Sequence, residues 1–394
     1  MISMSNFSEE FKRKSFNKIA GLVAENYVDQ SLILNNWDNI TNRYKRNLIN
    51  ISTLEDFYRY IDNMLLELRD PHTRFKNNNI IKIPSVLLVY INNEIFIAAT
   101  FYNDSKLKIG SKLLKINGEK IQSILSKLSN NFKFKSKNII KHNIIEELNS
   151  YIKEGDILEC EVEGKIIVEA VSSNMLFNNT FKNINNKQII ESNNFSRIID
   201  DTLYVKLPTF RMESMIDRLE TILKDGASDK IIIDVRENKG GFIELAKRAA
   251  AFFLENDKVI GYTINKDNIK CPIEIHVKDS YLNKFKKIII LTNENSGSCT
   301  ETIFINALKN SSNKISIIGS KTMGLINQAT EFKFNDGSLL QITTKKNLDI
   351  NGVELGYVGL EPDVLVDLDF NIFRGVDNQL NEALRVINNK EIYV

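Results

Sequence analysis

Residues 295–301 read Asn-Ser-Gly-Ser-Cys-Thr-Glu. An apolar run at residues 288–291 precedes it, and a second apolar segment at residues 303–308 follows it. This order predicts a buried strand, a tight turn of small residues and then a helix. The turn would place the hydroxyl of Ser298 at the helix N-terminus, where free N–H groups and the helix dipole can stabilise an oxyanion. The stretch therefore predicts a mounted serine nucleophile.

The same turn has a second interpretation that involves no chemistry. Serine side chains at the start of a helix commonly accept hydrogen bonds from amides that lack a partner. A Ser/Gly/Ser cluster between a strand and a helix is more often such a cap and turn. The case for catalysis therefore depends on the rest of the chain.

Composition narrows the class of protein. The 394 residues exceed the usual size of one domain, which favours two or three units. The 52 basic residues nearly balance the 50 acidic ones, for a formal charge of +2, so nothing indicates a nucleic-acid partner. Neither an apolar leader nor a membrane span is visible, and the sequence predicts a cytoplasmic protein.

The cysteines and histidines are few. Three cysteines, Cys160, Cys271 and Cys299, are too scattered for a disulfide framework or a zinc site, and the sequence predicts reduced thiols, no metal and no cofactor. Histidine occurs only at three positions, which keeps the list of candidates for histidine-dependent chemistry short. Those positions are His72, His142 and His276.

The first half of the chain changes character near residue 80. Helical spacing of apolar residues predicts a helical N-terminal unit over residues 1–80, which Pro71 ends, leaving His72 in a turn. Short β-like runs then indicate a β-rich unit over residues 81–175. Within it, a glycine turn, a strand, the Asn117-Gly118 turn and a following helix resemble a PDZ domain, which binds extended peptides by strand addition. An unrelated β-rich insertion is the alternative.

The second half of the chain alternates strands and helices. Residues 176–200 are rich in asparagine and predict a linker. Over residues 201–394, this alternation favours an α/β unit with a parallel or mixed sheet covered on both faces. The predicted strands are at residues 203–207, 231–235, 288–292 and 315–318, and the predicted helices at residues 212–223, 243–254 and 302–308.

Three motifs occur in a fixed order along the chain. They are Asp-Pro-His-Thr at 70–73, Asp-x-Arg-x-Asn-x-Gly-Gly at 234–241 and Ser-x-Ser-x-x-Glu at 296–301. With the PDZ-like segment after the first, they resemble the C-terminal-processing (tail-specific) serine peptidases, a superfamily that includes the tricorn core protease and the interphotoreceptor retinoid-binding proteins. The resemblance covers about residues 55 to 370. It implies a crotonase-like ββα catalytic domain with a mixed sheet, and an endopeptidase that cleaves peptides or unfolded proteins, including near their C-termini.

The resemblance also assigns roles to residues. It implies that Ser298 is the nucleophile and that the amides of Cys299, Gly240 and Gly241 form the oxyanion hole. Members of the Ser-Lys type carry a lysine directly after the glycine that corresponds to Gly324. Here that position is Leu325, so the dyad lysine is missing, and Lys321, on the other side of the glycine, is not expected to replace it.

The missing lysine points to the branch in which histidine is the base, as in the tricorn core and the nisin-resistance peptidases. His72 occupies the matching position, and imidazole can take the serine proton at neutral pH. The resemblance implies that a glutamate completes the site. The candidates are Glu354 and Glu361, of which Glu354 is the predicted one, although a solvated surface glutamate fits equally well.

The remaining motif residues have structural interpretations. Glu301 is predicted to cap amides or to pair with a basic group. Asp234 and Arg236 are predicted to fix the glycine turn, and His142 and His276 are predicted to lie at the surface.

Two other functions stay open at this point. One is a peptide- or ligand-binding protein on a peptidase fold that has lost activity, which the missing lysine favours. The other is an enzyme that inactivates an antibacterial peptide, as the nisin-resistance branch suggests. The sequence leaves the oligomeric state and the cleavage preference undetermined.

Overall fold

Three β-sheets organise the part of the chain that the structure describes. The computed structural model describes residues 7–77, 85–102, 105–172, 195–226 and 228–388. Within these residues, none of the helices combines the length and the apolar character needed to cross a membrane.

The N-terminal helices begin at side-chain caps. Ser8 accepts a hydrogen bond from the amide of Phe11, and Thr53 accepts one from the amide of Asp56, so orphan N–H groups at both helix starts are satisfied. The helices are α1 (Glu9–Asn26), α2 (Asp38–Arg46) and α3 (Leu54–Leu66), with helical turns at Gln30–Leu32, Ile33–Trp37 and Leu48–Asn50. Their apolar faces meet in one core, in which Phe57, Ile61 and Met64 are fully buried.

The region predicted to be helical also contains a strand near its end. Strand β1 (Arg74–Asn77) pairs antiparallel with a strand close to the C-terminus, in the register Arg74 with Gln341. The segment predicted as a separate unit at residues 1–80 therefore contributes a strand to a sheet of the C-terminal region, because backbone pairing joins them.

The second region contains an antiparallel sheet and two helices. Its elements are β2 (Val86–Ile91), β3 (Glu94–Thr100), β4 (Lys112–Ile116), β5 (Glu119–Lys120), α4 (Ile121–Ser129), α5 (Lys137–Tyr151), β6 (Ile157–Val162) and β7 (Lys165–Ala170). The sheet order is β2-β3-β4-β6-β7, with β5 on β4. Asn117 and Gly118 both have positive φ, as a type I′ turn requires. Helix α5, which the sequence analysis did not predict, packs on β2.

Residues 173–194 lie outside the described residues, and they include most of the linker predicted at residues 176–200. The third region begins after them. The last residues of that predicted linker instead form a strand. The elements are β8 (Ser196–Ile199), β9 (Thr202–Lys206), α6 (Glu213–Asp225), β10 (Lys230–Asp234), α7 (Ile243–Ala251), β11 (Lys258–Asn265), β12 (Lys270–Ile275), β13 (Lys287–Thr292), β14 (Ile315–Gly319), β15 (Gln328–Lys333), β16 (Ser338–Leu348), β17 (Val364–Leu365) and α8 (Asn378–Ile387). Shorter helical turns are Leu282–Lys284, Thr300–Ile305, Asn306–Leu308 and Phe370–Arg374.

The central sheet of this region is mixed, as predicted. Its order is β17-β14-β13-β10-β9-β8, parallel from β17 to β9, with β8 antiparallel at the edge. Successive residues of β10 face opposite cores: Ile231 and Ile233 face one cluster, and Ile232 faces another that α8 covers. Burial on both faces explains why these strands read as unbroken apolar runs.

The remaining sheet joins distant parts of the chain. Its order is β1-β16-β11-β12, and β15 also pairs with β16. One side of it packs against the N-terminal helices through Phe75, Leu340 and Phe332. This sheet therefore connects the N-terminal helices with the C-terminal region.

Candidate active site

The site is built on two loops that leave neighbouring parallel strands. Strands β10 and β13 run side by side, with Asp234 opposite Leu291, so the loops that follow them emerge at the same edge of the sheet. The loops are joined directly: the amide of Gly297 donates to the carbonyl of Asn238 over 2.9 Å, and the hydroxyl of Thr300 donates to Asn238 Oδ1 over 2.8 Å.

Ser298 lies at the turn between β13 and the next helix. Its φ is +58°, a left-handed conformation that is uncommon for a residue with a side chain and occurs often at functional sites. Its carbonyl accepts the amides of Glu301 and Thr302, both over 2.9 Å. The predicted strand, turn and helix are therefore present, although the first helical turn, Thr300–Ile305, has the wider π geometry.

Gly240 and Gly241 lie against this turn. Gly240 has a φ of +93°, and a Cβ added there would lie 2.8 Å from the Cβ of Ser298. A Cβ added at Gly241 would lie 2.3 Å from the carbonyl carbon of Phe210. Such contacts do not occur between real atoms, so both positions require glycine for close approach to the serine turn.

The backbone amides around Ser298 differ in whether they already donate a hydrogen bond. The amide of Gly240 donates to Asn238 Oδ1 over 2.9 Å, so it cannot also donate to an oxyanion, and the prediction of Gly240 as a donor is wrong. Among the described residues, the amides of Gly241 and Cys299 donate to no backbone oxygen, and both lie within hydrogen-bond reach of the Cys299 sulfur, a weak acceptor. They stay the predicted donors of an oxyanion hole. Burial raises the pKa of the Cys299 thiol to about 12, so this thiol is neutral.

His72 is held in a tight loop after α3. The carboxylate of Asp70 accepts the amide of His72 over 3.1 Å and the hydroxyl of Thr73 over 2.6 Å. The Thr73 hydroxyl in turn accepts the amide of Thr343 in β16, which anchors the loop to the sheet. His72 is only 4% exposed, and it lines the same cavity of about 630 Å³ as Ser298.

The environment of His72 favours a neutral ring. Burial lowers the pKa of His72 to about 4, although the charge of Asp70 opposes this shift and that of Lys76 adds to it. Nδ1 of the ring is buried and, among the described residues, has no hydrogen-bond partner. A neutral imidazole at pH 7 can accept a proton, as a general base must.

This lowered pKa can be tested by NMR. With three histidines in the sequence, the ring signals can be assigned from single His-to-Gln variants. We expect the His72 signal to stay in its neutral position from pH 8 to pH 5. The exposed His276, whose pKa is raised by its hydrogen bond to Asp257, should become protonated at a pH above 6.5. A His72 signal that titrates near pH 6.5 would contradict the buried environment.

Glu354 does not lie in this cavity. It forms a bridge with Leu348 at the end of β16, pairs with Lys346 over 3.5 Å and lines a separate cavity that includes Asp29. The backbone pairing holds the glutamate at the far end of β16, so its predicted role as the acidic partner of His72 is wrong. Asp70 is the carboxylate whose charge acts on His72.

Glu301 has a structural role, as predicted, but a larger one than a cap. It is fully buried, and its carboxylate accepts four hydrogen bonds. The donors are the amides of Ser298 (3.1 Å), Gly324 (2.6 Å) and Leu325 (2.9 Å) and the hydroxyl of Thr322 (2.5 Å). Burial raises the pKa of Glu301 to about 7, although these four hydrogen bonds favour the carboxylate. Glu301 thus ties the serine turn to the loop at residues 322–325.

The loop at residues 322–325 confirms the departure from the Ser-Lys pattern. Leu325 packs against the apolar core of the second region and lines the cavity. Lys321 pairs with Glu361 over 2.7 Å and does not line the cavity. No lysine therefore takes the place of the missing one at this loop.

Helix α5 contributes cavity residues that the sequence analysis missed. His142 contacts Asn295 Oδ1 over 3.2 Å and Glu146 over 3.1 Å, and Glu146 also pairs with Lys239 over 3.1 Å. His142 and Glu146 line the cavity, so the prediction that His142 lies at the surface is wrong, whereas His276 is exposed as predicted. No motif marked α5, because its polar cavity residues are interspersed with ordinary surface lysines and asparagines.

Asp234 and Arg236 fix the glycine loop as predicted. Asp234 Oδ1 accepts the amide of Arg236 over 2.9 Å, and the guanidinium contacts Asp234 Oδ2 and Asp377 Oδ2, each over 2.7 Å. The pair is buried and anchors the loop to the start of α8, away from the cavity.

The cavity thus contains a serine in a left-handed conformation, two nearby amides and a neutral histidine, which are the kinds of group that a serine hydrolase uses. The family comparison agrees: residues 201–366 match the model of peptidase family S41. Residues 201–366 are therefore a peptidase family S41 domain. The match contains the two glycine and serine loops but not His72.

Curated relatives match the same part of the chain. The chloroplastic carboxyl-terminal-processing peptidase 3 of Arabidopsis thaliana is 29% identical over 165 residues, which cover 41% of this chain and 31% of the relative. A probable CtpA-like serine protease of Staphylococcus aureus is 36% identical over 146 residues, which cover 36% of this chain and 28% of the relative. The chain thus aligns with less than a third of the length of these relatives.

Solved structures resemble the chain over nearly its whole length. The structure of mature CPAF has a TM-score of 0.72 at 13% identity and covers 97% of this chain and 98% of that one. The photosystem II D1 C-terminal processing protease has a TM-score of 0.55 at 15% identity and covers 96% and 98%. The tricorn protease has a TM-score of 0.53 at 18% identity and covers 96% of this chain and 37% of that one. These likenesses show that the fold is that of S41 proteases, with mixed α/β sheets.

Proposed function

We propose that the chain is a serine endopeptidase that cleaves peptides or unfolded proteins, including near their C-termini, with Ser298 as the nucleophile and His72 as the base. The observation that carries the proposal is that these two residues, far apart in sequence, line one cavity together with Gly241 and Cys299, whose amides donate to no backbone oxygen. The family S41 domain and its protease relatives support the same reaction class.

The reaction proceeds by acyl transfer. The Ser298 hydroxyl attacks the scissile carbonyl carbon while the neutral His72 ring takes its proton. The developing oxyanion is held by the amides of Gly241 and Cys299, which would exchange a weak contact with the Cys299 sulfur for a charge-assisted hydrogen bond. His72 then returns the proton to the leaving amine, and water releases the acyl group by the same steps. The buried ring of His72 is neutral at pH 7 and has a lone pair for the first of these transfers, while its lowered pKa makes it a weaker base than an exposed imidazole.

We further propose that the sheet β2–β7 with α4 and α5 is a PDZ-like domain that presents a substrate C-terminus to the cleft, and that the catalytic domain is crotonase-like. Contacts between α5 and the catalytic loops support communication between the two. Ser136 donates to the carbonyl of Met323 over 2.6 Å, and Asn138 donates to the carbonyl of Thr322 over 3.0 Å. Movement of α5 would therefore displace the loop that Glu301 ties to Ser298.

An active-site-directed fluorophosphonate tests the proposal. We expect it to label the natural protein and not the Ser298→Ala variant, because the reagent traps an activated serine. A Ser52→Ala variant, which removes an exposed serine on the N-terminal region, is the matched control and should be labelled normally. Absence of labelling in the folded natural protein, or equal labelling of Ser298→Ala, would favour the peptide-binding protein without activity.

A further inference from the structure

Three strands form a platform beside the catalytic cavity. Strands β1 and β15 pair with opposite edges of β16, so that Arg74, Gln341 and Glu331 lie side by side in one row. Two residues farther along each strand, a second row contains Lys76, Leu339 and Lys333. Residues two apart on a strand point to the same face, so both rows share one face of the sheet.

The opposite face of the platform is buried. Phe75, Leu340 and Phe332, which lie between the two rows, all pack into the core of the N-terminal helices. This packing fixes the register of the strands, because a shift of one residue would bury the charged side chains of the two rows in the apolar core. The two rows are therefore held on the side of the cleft.

The platform connects two cavities. The residues of the first row line the catalytic cavity, together with Ser298 and His72. The residues of the second row line an adjoining cavity of about 570 Å³. Four residues line both cavities, so the cleft continues from the catalytic site over the second row. These four are Lys76, Arg211, Glu331 and Gln341.

The adjoining cavity has an excess of positive charge. Three cations and one carboxylate line it, and that carboxylate, Glu331, faces Arg211 over 3.5 Å. Lys76 and Lys333 are exposed, and no ion pair of either side chain occurs within the described ranges, although the charge of Lys76 also acts on Glu146 in the catalytic cavity. Two ammonium groups are thus available to a ligand that enters from the catalytic cavity.

We propose that this adjoining cavity is a substrate subsite that binds a carboxylate of the peptide through Lys76 and Lys333. The inference rests on the proposed peptidase function and adds a preference for acidic substrate segments. The carboxylate has two sources, an Asp or Glu side chain near the cleaved bond or the C-terminal carboxylate of a short peptide. Both would gain a charge-assisted contact that a neutral group lacks.

The test uses peptides that differ by one charge. A casein digest first identifies a peptide that the natural protein cleaves, and variants of this peptide then carry Glu or Gln at each of four positions on either side of the cleaved bond. A second pair of peptides carries a free or an amidated C-terminus. We expect kcat/KM to be about tenfold higher for the charged member at one position or at the C-terminus, and this difference should shrink with added salt.

Variants of Lys333 test whether the platform causes the preference for a charged peptide. In Lys333→Gln the ratio of the two kcat/KM values should fall toward one, and in Lys333→Glu it should invert in favour of a Lys-bearing peptide. Lys333 is exposed, so neither change should prevent folding. Lys165→Gln, which alters an exposed lysine of β7, is the matched control and should keep the natural ratio.

The outcomes separate the two proposals. If the natural protein cleaves no peptide, the proposed peptidase function fails. If it cleaves the neutral peptides but shows no charge preference at any position, or if Lys333→Glu keeps the natural ratio, the carboxylate subsite is overturned while the peptidase function stands. Loss of the preference on C-terminal amidation alone identifies the C-terminal carboxylate as the bound group.

Discussion

Replacement of His72 by alanine is expected to lower kcat by about 10²- to 10⁴-fold with little change in KM, because the serine loses its base while the cleft is unaltered. Steady-state cleavage of a peptide substrate measures both constants. His276→Ala is the matched control, since this histidine is exposed and lies away from the cavity. It should retain natural kinetics. Full activity in His72→Ala would exclude His72 as the base.

The same assay tests which acidic residue acts on His72: Glu354, as the sequence predicted, or Asp70, as the structure indicates. Glu354→Gln should leave kcat within about twofold of the natural value, because Glu354 pairs with Lys346 and lines a different cavity. Asp70→Asn should have a larger effect, because the Asp70 carboxylate holds the His72 loop and its charge acts on the ring. A large loss of activity in Glu354→Gln would restore the glutamate to the catalytic site.

Replacement of Glu301 by alanine is expected to cost about 3–5 kcal/mol of stability, because four buried donors would lose their acceptor at once. The midpoint of urea unfolding, followed by tryptophan fluorescence and circular dichroism, measures the change. Glu361→Ala is the control: its carboxylate is exposed and pairs only with Lys321 among the described residues, so the expected loss is below about 1 kcal/mol.

A substitution of Glu301 should also change kcat, because Glu301 holds the turn that carries Ser298 in position. Glu301→Gln keeps the shape of the side chain but places an amide N–H₂ group against some of the four hydrogen-bond donors. We therefore expect a smaller loss of stability than in Glu301→Ala, together with a reduced kcat. The reduction would follow from a displaced Ser298 turn, because the amide of Ser298 is one of the four donors. Unchanged stability in both variants would show that the loop at residues 322–325 is held by other contacts.

The four inner strands of the central sheet were predictable because burial on both faces leaves an unbroken apolar run. The predicted strands at residues 231–235 and 288–292 differ from the observed β10 and β13 by one residue at their ends. Helix α5 was missed, because its buried residues, such as Asn143 and Leu148, alternate with lysines and asparagines that carry no clear periodicity. With α5, the sequence analysis also missed His142 and Glu146 in the cavity.

The predictions for the site residues also succeeded where a local motif marked the residue and failed where its position depended on the fold. Local motifs drew attention to Ser298, Gly241 and His72, which line one cavity, because each motif lies within a few residues of a strand or helix end. Glu354 was misplaced, because its position depends on how the chain leaves β16, which no short motif records. The occupied amide of Gly240 was equally invisible, since its acceptor, Asn238 Oδ1, is chosen by the folded loop.

Four strands and three helices of the C-terminal region, the serine turn, the glycine turn and the absence of the dyad lysine at Leu325 followed from the sequence. Strands β8, β11, β12, β15, β16 and β17 and helix α8 were not predicted. The predicted features are local, since each depends on residues within one or two turns of the chain. The tertiary structure alone decided that β1 pairs with β16, that His72 shares a cavity with Ser298, and that the charged platform continues the cleft. These features depend on backbone pairing and packing between residues far apart in sequence, and pairing of that kind leaves no periodic pattern in either partner.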